Sequence, residues 1–150
     1  MFYTAQNPTW RQTAIDYLLK SMMTLPTAVL LTAPKVHLLG SAVQIDKDTP
    51  LATLQAAEIA YTGYTAIVLP PLLGPVNSVP NMQAMYGDVQ FLAPNPLATT
   101  ATAFGYWVDG MTPADWVMAE GFPNSFPFAE PGDFLDLDLL FGLPFMLLVS

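Results

Sequence analysis

The chain has no cysteine, four Lys and Arg residues together, and one histidine in 150 residues. Without cysteine it can form no disulfide, thiol nucleophile or thiolate metal ligand. One histidine, His37 in the apolar run Val36-His37-Leu38-Leu39, cannot build a histidine-based zinc site, so no metal or other cofactor is expected. The cations are few and crowded: Arg11, Lys20, Lys35 and Lys47 all precede residue 48, while residues 48–150 carry ten acids and no Lys or Arg. Neutralising phosphates requires Lys and Arg, so nucleic acid is excluded as a partner and anionic membrane surfaces are disfavoured. A basic segment followed by an apolar one is also missing at the N-terminus, so no secretory signal is expected. The longest apolar run, Leu139 to Val149, is 11 residues and is interrupted by Gly142 and Pro144. A membrane-crossing helix needs about 20; a buried strand pair is the reading.

Hydrophobic residues, by contrast, make up 53% of the chain and charged residues 11%, against ~25% charged in ordinary soluble domains. Such a composition excludes overall disorder, and the length suits one domain, alone or with an arm. Nine Phe, six Tyr, three Trp and eight Met suit a large core. They also suit a contact surface, since aromatics and Met are enriched at interfaces where Lys, Glu and Asp are depleted.

Residues 8–23 predict a helix. Asn7 is a capping type, Pro8 suits the first turn, and Trp10, Ala14, Tyr17, Leu18 and Met22 form a stripe at helical spacing. Leu25-Pro26 ends it. Beyond Pro26 the period falls to two, and fifteen prolines and nine glycines cut the chain into short pieces. Expected strands are Thr27–Leu31, Lys35–Leu39, Glu58–Tyr61, Tyr64–Leu69, Val89–Leu92, Thr102–Asp109, Trp116–Glu120, Phe134–Leu140 and Phe145–Val149. Short strands divided by turn signals predict an all-β protein, an antiparallel sandwich or barrel. Residues 1–25 are then a helical arm and 26–150 the β domain. The clearest alternation places Leu135, Leu137 and Leu139 on one face and Asp136 and Asp138 on the other. In Thr102–Asp109, Phe104, Tyr106 and Val108 share a face opposite Gly105 and Trp107. Ile45–Leu54 and Pro70–Gly87 read as loops. The second is unusually apolar for its length, with Leu72, Leu73, Met82, Met85 and Tyr86, and long loops in compact domains tend to be functional.

Motifs of catalysis are missing. None of Ser21, Ser41, Ser78, Ser125 and Ser150 sits in a Gly-x-Ser-x-Gly elbow. His37 reads as structural, its ring bonded to a backbone group or water. Asp133, Asp136 and Asp138 are too few and too strand-like for a calcium loop and read as a solvated face. There is no glycine-rich phosphate loop. A carbohydrate-binding module would want exposed aromatics beside carboxylates, for which Trp107 with Asp109 and Trp116 with Asp115 are the candidates.

The order of the pieces resembles a family of small virion proteins of tailed bacteriophages. The resemblance runs over residues 10–141: the N-terminal helix, the strand Lys35–Leu39, the polar turn Asp46–Pro50, Glu58 followed by Thr62-Gly63-Tyr64-Thr65, then Gly105-Tyr106-Trp107-Val108-Asp109, Trp116–Phe122 and Pro131-Gly132-Asp133-Phe134-Leu135-Asp136-Leu137. It implies a jelly-roll β-sandwich without catalytic residues, a capsid decoration (cement) protein stabilising a phage head. A small tail, fibre or baseplate accessory is the second reading and a carbohydrate-binding β-sandwich module the third. The chain departs from the pattern in residues 142–149 and in the apolar Pro70–Gly87 segment. The expected partner is the major capsid protein or another virion protein, and the expected location the virion. Apolar patches of more than a few hundred Å² are rare on monomers, so a homo-oligomer, a trimer, is expected, with Trp10, Tyr17, Leu18, Leu72, Leu73, Met82, Met85 and Tyr86 as candidate interface residues.

Overall fold

A computed structural model describes residues 1–5, 8–16, 34–69, 76–78, 81–94, 99–110 and 114–142. The described residues form nine strands: β1 Phe2–Thr4, β2 Thr9–Trp10, β3 Lys35–Leu39, β4 Ile67–Val68, β5 Val76–Ser78, β6 Asn81–Leu92, β7 Ala101–Val108, β8 Met118–Phe128 and β9 Phe134–Gly142. Helical turns cover residues 12–16 and Leu51–Ala56. The protein is all-β, in two sheets ordered β1-β9-β6-β5 and β2-β8-β7-β3-β4. The β7–β8 hairpin lies in the second sheet, while the strands flanking it in sequence, β6 and β9, pair with each other in the first. Among the described residues every pairing is antiparallel except β1 on β9, which is parallel.

The two sheets share one core. Leu135, Leu137, Leu139, Val89 and Phe91 of the first meet Val36, Leu38, Tyr106, Val108, Met118 and Phe128 of the second. The leucine alternation in β9 is as read, with all three side chains fully buried. Asp136 opposite them is half-buried rather than exposed, because β1 flanks it and Gln90 Nε2 donates to its Oδ1 at 2.8 Å. In β3, β7 and β8 consecutive residues are buried. Leu38, Tyr106 and Met118 enter the shared core, while Leu39, Trp107 and Ala119 join Leu54 and Trp116 in a second cluster. Side chains alternate along a strand, so this cluster lies on the other face of the sheet, roofed by the helix Leu51–Ala56. Covering both faces explains why Val36–Leu39 reads as a continuous apolar run.

Several expectations need correction. Pro70–Gly87 is not a single loop, because β5 and β6 pair as a hairpin from Val76↔Gln83 to Ser78↔Asn81. Its strand character was obscured at Gly87-Asp88. There β6 carries one residue more than β9, Tyr86 pairing with Leu139 and Val89 with Leu137, a bulge that breaks the alternation. The helix expected from residue 8 starts at 12. Thr9 and Trp10 pair instead with Ala119 and Met118, and Arg11 N–H donates to the Val117 carbonyl at 2.9 Å, so sheet pairing overrides local helix propensity. Residues 17–23 of that helix and the expected strands Thr27–Leu31 and Phe145–Val149 lie outside the described residues. Ile45–Leu54 is a turn followed by the start of the helix. Glu58–Tyr61 supplies only the isolated bridge Leu39↔Glu58, and Tyr64–Leu69 only the two residues of β4. Conversely β8 runs on through Pro123 and Pro127. Its partner β2 covers only Met118 and Ala119, and an edge tolerates proline because no ladder donor is lost there. In β7 the register shifts between Ala103 and Gly105, so Ala103 rather than Phe104 joins Tyr106 and Val108 in the core.

Candidate functional site

The strongest grouping of titratable side chains centres on His37. β3 places the ring on the helix-covered face, directly across from Trp107 of β7, and the two rings stack at 3.8 Å with an interplanar angle of 8°. Glu58 follows the helix and is held by Gly40 N–H donating to the Ala57 carbonyl (2.7 Å) and Ile59 N–H to the Leu38 carbonyl (2.9 Å). Asp109 follows β7; its N–H donates to the Lys35 carbonyl at 3.0 Å and its Oδ1 accepts Lys35 N–H at 2.8 Å. These two anchors bring a carboxylate to each ring nitrogen: Nδ1 lies 2.7 Å from Glu58 Oε1 and Nε2 2.8 Å from Asp109 Oδ2. Tyr64 completes the group, its hydroxyl donating to Glu58 Oε1 at 2.9 Å and accepting Leu38 N–H at 2.9 Å.

The electrostatics follow from this geometry. Burial pushes the His37 pKa down, but the bonds to Asp109 and Glu58 outweigh it and the net shift is upward. For Asp109 burial pushes up, and the bonds from His37 and the Lys35 backbone reverse it, holding the carboxyl below its ordinary value. The Tyr64 phenol is pushed up, first by burial. A neutral imidazole has one N–H and can satisfy one carboxylate; two contacts of this length need the doubly protonated ring. In that doubly protonated form the ring offers neither a free base nor a ligand lone pair. The expected bond of His37 to a backbone group or water is thus replaced by two carboxylates. Its partners stand 21 and 72 residues away, and no spacing rule links them.

A second cluster lies between the sheets. Glu120 is 8% exposed and accepts the Tyr3 hydroxyl on Oε1 (2.8 Å) and the Tyr106 hydroxyl on Oε2 (3.1 Å). Both phenols are pushed up, first by burial and then by this carboxylate. A third grouping sits at the end of β2: Arg11 Nε contacts Asp115 Oδ2 at 3.2 Å and its guanidinium lies 5.7 Å from the Trp116 ring centre. Asp133 is engaged in a turn, accepting N–H groups of Ala129 and Glu130 at 2.8 Å each, and these bonds hold its carboxyl low. Among the described residues no group of three or more His, Asp or Glu side chains is placed to hold a metal ion.

The sugar-stacking platform considered from the sequence is not formed. Trp107 is 2% and Trp116 0% exposed, the latter with its Nε1 donating to the Thr49 carbonyl at 2.8 Å, so neither ring offers a face to a ligand. Of the candidate interface residues, Trp10 is half-buried against the shared core. Met82, Met85 and Tyr86 belong to β6, opposite Asn77, Leu140 and Leu139. Tyr17, Leu18, Leu72 and Leu73 lie outside the described residues. An apolar patch missed from the sequence crosses the outside of the first sheet. Phe2 (77% exposed) packs edge-on against Phe134 at 5.9 Å, and Leu92 (56% exposed) pairs with Phe134 from the other side. Phe2 falls in the expected helical arm, and its strand partner Asp136 lies far along the chain, where no local pattern points to it. No family model, curated protein or solved structure matches the chain.

Proposed function

We propose that the chain is a non-catalytic structural protein of a tailed-phage virion, a jelly-roll β-sandwich that decorates the capsid surface as a homotrimer. One observation carries the non-catalytic reading: the grouping that most resembles a catalytic site is saturated. His37 is clamped between Glu58 and Asp109 with no free nitrogen, which suits a strut and not a base. The jelly-roll reading is supported by strand nesting, with the β7–β8 pair in one sheet enclosed in sequence by the β6–β9 pair in the other, as when a two-stranded ribbon folds over itself. The virion reading rests on the ordered resemblance in the sequence. The low charge and acidic remainder suit a subunit with one face against a partner and an acidic face outward.

Immunogold labelling of intact particles with an antibody to this chain tests the location. Label on heads supports decoration, label on tails or fibres supports the accessory reading, and particles that carry the gene yet take no label refute the virion role. Sedimentation equilibrium of the purified protein tests the trimer; a monomer at tens of micromolar refutes it while leaving capsid binding open.

A further inference from the structure

We propose that the Glu58–His37–Asp109 cluster is a proton-operated latch: the doubly protonated His37 ring holds the helix-bearing segment 40–66 against the five-stranded sheet, and loss of its proton releases that segment. The inference starts from donor counting. Carboxylate oxygens lie 2.7 and 2.8 Å from the two ring nitrogens, and only the imidazolium has two N–H groups to meet them. Deprotonation leaves a nitrogen lone pair against a carboxylate oxygen in a site where His37, Glu58 and Asp109 side chains are only 12%, 27% and 31% exposed, so water screens the repulsion poorly. The groups facing the ring are Glu58 and Tyr64 from the released segment, Asp109 beyond β7, and the face of Trp107 from β7; the Lys35 backbone, on His37's own strand, braces Asp109.

The two sides of the clamp are not equally anchored. Asp109 is tied to β3 through both its N–H and its Oδ1, at the end of the continuous β3–β7 ladder. Glu58 is tied to β3 by one isolated bridge, through Gly40 N–H to the Ala57 carbonyl and Ile59 N–H to the Leu38 carbonyl, and not by a continuous ladder. The Glu58 side therefore yields first. It is two residues beyond the helix Leu51–Ala56, whose fully buried Leu54 roofs Trp107 and Trp116, so release of Glu58 loosens that roof.

The upward shift of His37 gives the sign. A group whose folded pKa is raised stabilises fully below its unfolded value and loses that contribution as pH rises through the folded value. On the acid side Asp109, held low, contributes above its unfolded value and fails as pH falls through its folded one. The latch is closed between those limits and opens on the alkaline side.

His37 is the one histidine, so its imidazole resonances in an NMR titration of the intact protein are unambiguous. The expected midpoint lies above the unperturbed ~6.5. Hydrogen exchange, corrected for intrinsic pH dependence, is followed for peptides spanning residues 50–66 and for the β8–β9 strands. Protection of 50–66 is expected to drop across that midpoint while β8–β9 keeps its protection. Each unit of pKa rise corresponds to about a tenfold loss. His37→Gln should abolish the step, and Glu58→Gln should shrink it and lower the midpoint. A midpoint at or below ~6.5, unchanged protection of 50–66 across the titration, or an identical step in His37→Gln each overturns the latch. Should His37→Gln fail to fold, the wild-type titration and exchange profile decide alone.

Discussion

Replacing Leu137 by Ala examines the face assignment on which the two-sheet architecture rests. Leu137 is fully buried in the middle of β9, with Tyr3 of β1 opposite it on one side and Val89 of β6 on the other. Tyr3 cannot close over the gap freely, because its hydroxyl is fixed to Glu120 across the core. A cavity that cannot collapse sits in the upper part of the Leu→Ala range, so the loss should be about 3–5 kcal/mol. For a domain of this length each kcal/mol lowers Tm by about 2–4 °C, giving a fall of about 6–20 °C. The control is Asp136→Ala, one residue away on the opposite face. It removes one hydrogen bond from Gln90 at a half-buried site and should cost about 1 kcal/mol or less. Thermal melts by circular dichroism, with urea titrations to confirm an unchanged m-value, give both numbers. Equal destabilisation by the two variants, or a Leu137→Ala loss under about 1 kcal/mol, would refute the assignment of the buried face.

Gly105→Ala should destabilise by about 1–3 kcal/mol in urea titrations, since a Cβ there would stand 2.4 Å from the Glu120 carbonyl oxygen and 3.0 Å from Gly121 Cα; a wild-type midpoint would contradict the close approach of β7 and β8. Tyr3→Phe removes one of the two hydroxyls on buried Glu120 and should cost about 1–3 kcal/mol, with a double variant also carrying Tyr106→Phe departing from additivity in a double-mutant cycle. Addition of EDTA should leave Tm unchanged; a fall would reveal a structural metal and defeat the cofactor-free reading.

The candidate site divides along the same line as the fold. That no serine elbow accompanies His37 was legible. Its two carboxylate partners were not, because pairing of β3 with β7 brings Asp109 and an isolated bridge brings Glu58. The burial of Trp107 and Trp116 was hidden for a related reason. A helix of six residues, with no side-chain cap and no acid in its first turn, carries almost no local signal, yet it covers the face on which Trp107 lies.

What the sequence determined by itself is what depends on near neighbours. Alternation in Phe134–Leu140 fixed which side chains of β9 face inward, Lys35–Leu39 announced a strand, and proline and glycine frequency announced short strands. Tertiary structure decided what depends on partners far along the chain. Thr9 and Trp10 became a strand because Met118 and Ala119 offered an open edge, against a helical stripe that looked sound locally. The tract around Gly87 became a ladder because β9 supplied the hydrogen bonds, and Phe126–Phe128 did so because β7 supplied them. A strand's free energy resides in its partner, so a pattern read along the chain is strongest where side-chain burial sets the conformation. It is weakest where the backbone answers to another strand.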